Sequence, residues 1–154
     1  MKARDIMITD IPTISTKSTV MEAVLILCRS FGGECGENSA PGLVVVHEDG
    51  TFAGILSPLT IIRAFCEHAA TLGTGERGER EFFDAVCTAL KERRVEQIMD
   101  WQAISVTENA DIIDVAELFV KHRFQRVPVV DRQKVVGLIF RSRLMAAITS
   151  SLVG

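Results

Sequence analysis

Five basic side chains stand at the two ends of one short stretch of chain: His122, Arg123 and Arg126 come before it, and Arg141 and Arg143 come after it. Guanidinium forks match phosphate oxygens two bonds at a time, and a helix N-terminus adds unpaired backbone N–H donors. If the intervening chain folds back on itself, these groups meet, and the chemistry they offer is binding of a phosphate-bearing anion. Scattered in solvent, the same residues are an ordinary polar surface. The other reactive residue types offer less. Ser57 precedes Pro58, the arrangement of a helix cap and first helical residue, and no base partner for a nucleophilic hydroxyl is indicated. His47, His68 and His122 lie far apart in sequence, with no carboxylate or cysteine at ligand spacing. With no nucleophile, acid–base pair or metal cluster in view, the chain is not expected to be an enzyme.

The elements that must position the arginines are strands. Phe124 to Phe140 contains two apolar, β-branched runs separated by the charged turn around Arg132 and Gln133, and reads as a β-hairpin. A looser copy lies upstream, Leu43-Val44-Val45-Val46 and Phe52-Ala53-Gly54-Ile55-Leu56, joined through Asp49-Gly50, which supplies the positive backbone angles of a tight turn. Gly54 stands where Gly137 does. The repetition extends beyond the hairpins. Ile6-Met7 moved on by 92 positions falls on Ile98-Met99, and Ile14-Ser15 falls on Val106-Thr107. At the same offset Val20, Ala23, Val24 and Leu27 fall on Ile112, Val115, Ala116 and Phe119, the spacing of one buried helical face. Thr19 with Glu22 and Asp111 with Asp114 supply the caps. After the hairpins the offset is 83, and Ile61, Ile62 and Phe65 match Leu144, Met145 and Ile148.

In chain order this predicts a lead-in helix at 2–8, a strand at 11–15, a helix at 20–30, an exposed polar loop at 32–42, the first hairpin, and a helix from Ser57 to about Ala70. The second copy predicts a strand at 104–106, a helix at 111–122, the second hairpin and a helix through about Ser150. Between the copies, Gly73-Thr74-Gly75-Glu76-Arg77-Gly78 spells a dinucleotide fingerprint, but it follows a helix instead of a strand and reads as a linker. After it, Phe82, Phe83, Val86, Cys87 and Leu90 share a helical face expected to pack on the pair or on a second subunit. The domains are therefore 1–70, a linker at 71–94, and 95–154. Each copy reads α-β-α-β-β-α. Its apolar hairpin cannot bury both faces alone, so an α/β fold of two pseudo-symmetric repeats packed sheet to sheet is expected.

The 154 residues, 47% hydrophobic, are enough for such a shared core. A net charge of −3 without an extended basic tract gives no reason to expect nucleic acid as partner. The apolar runs are of strand length, and the first residues lack the core of a signal peptide, so no membrane and a cytoplasmic location are expected. Four cysteines without close pairing read as free thiols. Cys28, Cys66 and Cys87 fall on helical apolar faces as core residues, whereas Cys35 lies in the polar loop without an activating neighbour. Trp101, beside the second lead-in helix, reads as packing more than as a platform for a base.

Ile6-Met7, a strand leading into a helix, then Pro128-Val129-Val130-Asp131 and Val136-Gly137-Leu138-Ile139, with the unit present twice, resembles a cystathionine-β-synthase-type (CBS) domain pair, or Bateman module. The resemblance covers nearly all of the chain except the linker helix and the 32–42 loop. It implies a stand-alone regulatory module that binds AMP, ADP, ATP or S-adenosylmethionine between its repeats, forms a homodimer and signals to an effector protein. It places the base against Thr13, Ile14 and Ile104 and against Val44 and Pro128; Arg126, Arg141 and Arg143 are the residues that would hold a phosphate if they converge. The family's ribose motif is a Ser or Thr followed three residues later by Asp. Here it reads Ser57 and Thr60 in the first copy and Phe140 and Arg143 in the second. A carboxylate accepts from both hydroxyls of a diol, a threonine accepts more weakly, and a guanidinium only donates. The alternative is therefore a ligand-free interaction scaffold, with the 82–90 helix as its partner surface.

Overall fold

The structure, a computed structural model, describes residues 1–30, 42–101 and 104–154, with backbone alone at 28–30. The expectations for the 32–42 loop, Cys28 and Cys35 lie outside the described residues or side chains, apart from buried Gly42. The elements are α1 (Ala3–Ile6), β1 (Thr13–Ser15), α2 (Val20–Ser30), β2 (Leu43–Val46), β3 (Phe52–Leu56), α3 (Pro58–Leu72), α4 (Glu79–Lys91), α5 (Val95–Ile98), α6 (Ile112–His122), β4 (Arg126–Asp131), β5 (Lys134–Phe140) and α7 (Arg141–Val153). The chain is an α/β protein of two repeats. They form two compact units, one of residues 12–48 and 53–101, the other of 1–11, 49–52 and 102–154. Each lead-in helix thus belongs with the hairpin of the opposite copy.

In the unit of residues 12–48 and 53–101 the strands run β1-β2-β3, with β1 parallel to β2 and Ile14 opposite Val45. Asp100, just past α5, closes the far edge by pairing antiparallel with Ile55. In the other unit β4 and β5 form the hairpin, Val106 pairs parallel with Val129, and Ile8, just past α1, pairs antiparallel with Leu138. Val106 makes a single bridge in place of the strand expected over 104–106. The docking of the lead-in helices is the same in both units. Ala3 N–H donates to the Ala110 carbonyl at 2.9 Å and Arg4 to Glu108 at 3.0 Å, while Val95 donates to Ser18 at 2.7 Å and Glu96 to Thr16 at 3.0 Å. These partners are related by the 92-residue offset.

The matched helical faces are the buried ones. Ala23 and Leu27 pack with Ile14, Leu43, Val45, Leu56, Val95 and Met99. Val115 and Phe119 pack with Ala3, Ile6, Val127, Val129, Ile139 and Leu144. Thr19 Oγ1 accepts from Glu22 N–H at 3.2 Å as expected, whereas Asp111 caps α6 by accepting from Ile113 N–H at 2.9 Å in place of the expected Asp114. That bond holds the Asp111 carboxyl below its ordinary range, with the Lys2 ammonium at 3.5 Å adding to the effect. The linker helix α4 packs on α3 and touches α2. Its Val86 and Leu90 are buried, and Leu90 lies among Val20, Ala64, Ile61 and Phe65. Phe83 is half out in solvent, its ring 5.3 Å from that of Phe65. Cys66 is exposed, which corrects its reading as a core residue: it lies on α3 between buried Ala64 and solvent-facing Glu67, about a quarter-turn off the packed stripe.

The hairpins turn by different means. In the first, Asp49 accepts from Thr51 N–H at 3.0 Å and from its hydroxyl at 2.7 Å, and Gly50 takes φ +85°. In the second, Arg132 and Gln133 adopt φ 49° and 68° between paired Asp131 and Lys134, the two left-handed positions of a type I′ turn filled by residues that disfavour them. Replacing them by Asn-Gly is expected to stabilise the chain by about 1 kcal/mol, raising its melting temperature by about 2–4 °C in a thermal melt.

Candidate functional site

The sequence-predicted residues divide between the two units. In the first unit Thr13 lies opposite Val44, with Thr13 exposed and Val44 and Ile14 buried, where β1 and β2 begin. Ser57 caps α3 at the close of β3. Its Oγ accepts from Thr60 N–H at 3.2 Å and lies 3.0 Å from the Thr60 hydroxyl, and Thr60 is itself 4% exposed. The two hydroxyls therefore satisfy each other. Serine in this place shapes the helix start, as the Ser-Pro dipeptide indicated. Ser57→Ala removes the cap and leaves a buried hydroxyl with one partner fewer, and is expected to cost about 1–2 kcal/mol in urea denaturation. Further along this unit Trp101 Nε1–H donates to the Glu96 carbonyl at 3.1 Å, and its ring tilts against His47 at 5.9 Å. Trp101 is a packed residue with one face in solvent.

In the second unit Pro128 is fully buried in β4, its carbonyl accepting from Val106 N–H at 2.9 Å, and Ile104 is half-buried. Arg126 opens β4 directly opposite Phe140, the last residue of β5, and α7 starts at the next residue. The arginines at 126, 141 and 143 therefore leave the same end of one hairpin. Their environments differ. Arg141 is committed to the backbone: its Nε donates to the Phe124 carbonyl at 3.0 Å, and Nη2 donates to Phe124 at 2.6 Å and Arg123 at 3.0 Å. It thereby holds the end of α6, where Arg123 takes the left-handed cap conformation. His122 stacks on Phe124 with centroids 4.9 Å apart. Arg143 Nε donates to the Ile6 carbonyl at 3.2 Å.

Arg126 has no such engagement. The residue is half-buried, its Nε–H is buried without a hydrogen-bond partner, and no ion pair reaches it among the described residues. Burial pushes its pKa down to about 10, far enough above neutrality that it remains a cation. A buried, charged, partly unpaired group is costly, and such a cost persists where an absent partner repays it. Residue type in the sequence put Arg126, Arg141 and Arg143 on equal terms; only the partners of their nitrogens separate them. What the sequence did not signal is the Ile6 carbonyl as a partner of Arg143, because that contact depends on α1 joining the second hairpin. No cluster of His, Cys, Asp or Glu able to hold a metal ion occurs among the described residues, and no helix among them is long and apolar enough to cross a membrane.

Comparison with known proteins agrees with this architecture. The family model of the CBS domain matches residues 3–67 and again 95–150. Protein MJ1426 of Methanocaldococcus jannaschii is 28% identical over 128 residues, spanning 73% of this chain and 75% of its own. Two solved structures share the fold at a TM-score of 0.71, each covering 98% of both chains. They are the CBS domain pair of protein MJ0100 in complex with 5′-methylthioadenosine and S-adenosyl-L-methionine, at 22% identity, and CBSX2 in complex with AMP, at 19%. With both copies matched and the two-repeat fold shared, the chain belongs to the CBS domain family and carries a CBS domain pair.

Proposed function

We propose that this chain is a cytoplasmic regulatory module that binds an adenine nucleotide or a related phosphorylated adenosyl ligand and passes its occupancy to a partner protein. The observation that carries the proposal is the buried Arg126 guanidinium with its unpaired Nε. A phosphate oxygen is the partner that both charge and geometry favour. The AMP bound by CBSX2 and the S-adenosylmethionine bound by the MJ0100 pair support the adenosyl part of the reading. Taken unit by unit, the backbone at Thr13, Ile14 and Val44 in one and at Ile104 and Pro128 in the other is what each offers to a base, since the side chains of Ile14, Val44 and Pro128 are buried. In the second unit Arg126 and Arg143 are the groups left for the anion, with Arg141 bracing the turn beside them through Phe124 and Arg123; in the first unit Ser57 and Thr60 are the hydroxyl pair. The ligand acts by shifting the population of two conformations, by no more than its difference in affinity for them.

A homodimer is part of the same reading. Equivalent positions of the two repeats both leave apolar side chains in solvent: Met21 and Ile113 on α2 and α6, Ile62 at 57% and Met145 at 56% on α3 and α7. A duplicated chain that keeps the same unburied face twice fits a two-fold partner of its own kind. The second reading, a ligand-free scaffold, is favoured by the closed Ser57–Thr60 pair, which leaves no carboxylate for a ribose.

A thermal-shift series with AMP, ADP, ATP, S-adenosylmethionine and NAD separates the two. A native-state ligand at a hundred times its dissociation constant adds about 2.7 kcal/mol of stability. The module reading expects at least one of the phosphorylated compounds to raise the melting temperature. The scaffold reading expects none to do so at millimolar concentration.

A further inference from the structure

We infer that Arg143 couples ligand occupancy to the order of the α1 segment, releasing the Ile6 carbonyl when an anion takes its guanidinium. This rests on the anion-binding reading above and adds the route by which occupancy leaves the site. Ile6 is the last residue of α1, and a carbonyl in the last turn of a helix has no partner within the helix. Arg143 Nε–H supplies a donor to it, at 3.2 Å. A helix of four residues does not hold itself together, so α1 depends on bonds from outside. Those bonds are identifiable: Ala3 and Arg4 N–H donate to the carbonyls of Ala110 and Glu108, the Arg4 guanidinium to Asn109 Oδ1, and Ile112 N–H to the Met1 carbonyl, Lys2 pairs with Asp111, Ile8 exchanges both bonds with Leu138, and Arg143 reaches Ile6 at the helix end.

Arg143 stands at the same end of the hairpin as Arg126, on the first turn of α7. A hydrogen bond from a guanidinium to a phosphate oxygen is roughly twice as strong as one between neutral groups, and a carbonyl is the weaker competitor for the same N–H. Phosphate at Arg126 therefore draws Arg143 away from Ile6. The first repeat provides an internal control. The residue corresponding to Arg143 is Thr60, whose hydroxyl is already paired with Ser57, and the segment corresponding to α1 is α5. Nothing equivalent ties α5 to the start of α3 through that side chain, so α5 is not expected to respond.

The test is hydrogen exchange of the full chain, read by mass spectrometry with and without millimolar AMP, beside a melting curve on the same samples. The expected result is that AMP raises the melting temperature while exchange of the amides at 3–8 accelerates by about fivefold, the loss of one modest hydrogen bond. Exchange at 95–100 stays unchanged. Arg143→Ala without AMP should show the faster exchange at 3–8 already, and AMP should add nothing to it. If AMP raises the melting temperature but exchange at 3–8 is unchanged or slowed, or rises equally at 95–100, the coupling is wrong and the anion reading stands. The coupling is equally wrong if Arg143→Ala leaves exchange at 3–8 as it was. The same samples are run with ADP and ATP, and if none of the three nucleotides moves the melting temperature of the wild-type chain, the anion reading and the coupling fall together.

Discussion

Gly54→Ala is expected to be the most damaging small substitution in the chain, lowering its stability by about 3 kcal/mol in urea denaturation. Gly54 is buried in β3 beside Ile55, whose N–H and carbonyl pair with Asp100. A methyl group built on Gly54 would collide with the Asp100 carbonyl oxygen, and would lie only 2.6 Å from Met99 Cε. Backbone held in a sheet cannot step aside without surrendering the bridge that docks the end of α5. The counterpart Gly137 makes a useful contrast. There the added methyl meets the side chain of Met7, at its sulfur, at 2.8 Å from Cγ and at 3.0 Å from Cβ, so the sulfur and Cγ can swing away while Cβ must give by a few tenths of an ångström. Methionine has three rotatable bonds and adapts. Gly137→Ala should therefore cost about 1–2 kcal/mol, within the usual range for overpacking, and Met7→Ala in the same chain should recover part of that loss. No substitution at Met99 should rescue Gly54→Ala, since the carbonyl remains.

Arg126→Met is expected to act in opposite directions on stability and on binding. Desolvation that pushes the guanidinium pKa down to about 10 corresponds to a native-state cost on the order of 3 kcal/mol at neutral pH. The sign follows from linkage: with the folded pKa depressed, the unfolded chain holds the proton more tightly above about pH 10, so the penalty is present at neutral pH and relieved as pH rises past that value. Methionine matches much of the apolar stem and carries no charge to desolvate, so the ligand-free variant should be more stable by about 1–2 kcal/mol, in line with replacements of other buried charges. Its response to AMP should shrink at the same time, with affinity weakened at least about tenfold for the loss of a charge-assisted bond. A structural arginine would show the reverse: lower stability on substitution, with ligand response changed only in proportion. Denaturant midpoints of both proteins, measured with and without AMP, distinguish these outcomes.

Much of the fold was readable in the chain because duplication writes each constraint twice. The 92-residue offset picked out the buried faces of α2 and α6, and Gly54 and Gly137 stood out as paired positions before their close contacts with Asp100 and Met7 were known. The exchange of lead-in helices was not readable. Four residues such as Ala3–Ile6 or Val95–Ile98 state that a turn of helix forms, but nothing local says which sheet edge Ile8 and Asp100 will complete. The turn at Arg132 and Gln133 lacks the Asn-Gly signal that its backbone would favour, so the hairpin was legible from its strands and not from its turn. Cys66 shows the limit of helical periodicity, which fixes a stripe only to within about one residue. At the candidate site, five basic residues were visible as a group. That Arg141 spends its nitrogens on the carbonyls of Arg123 and Phe124, while Arg126 Nε keeps none, is a fact of three-dimensional partners.

The account turns on Arg126 being held ready for an anion, and calorimetric titration of AMP and of adenosine into the same chain addresses that directly. The two compounds share base and ribose and differ by the phosphate. The expected result is that AMP binds at least about tenfold more tightly than adenosine and that this ratio collapses toward one in Arg126→Met. Equal affinities for the two compounds in the wild-type chain, or an AMP preference that survives in Arg126→Met, would contradict it.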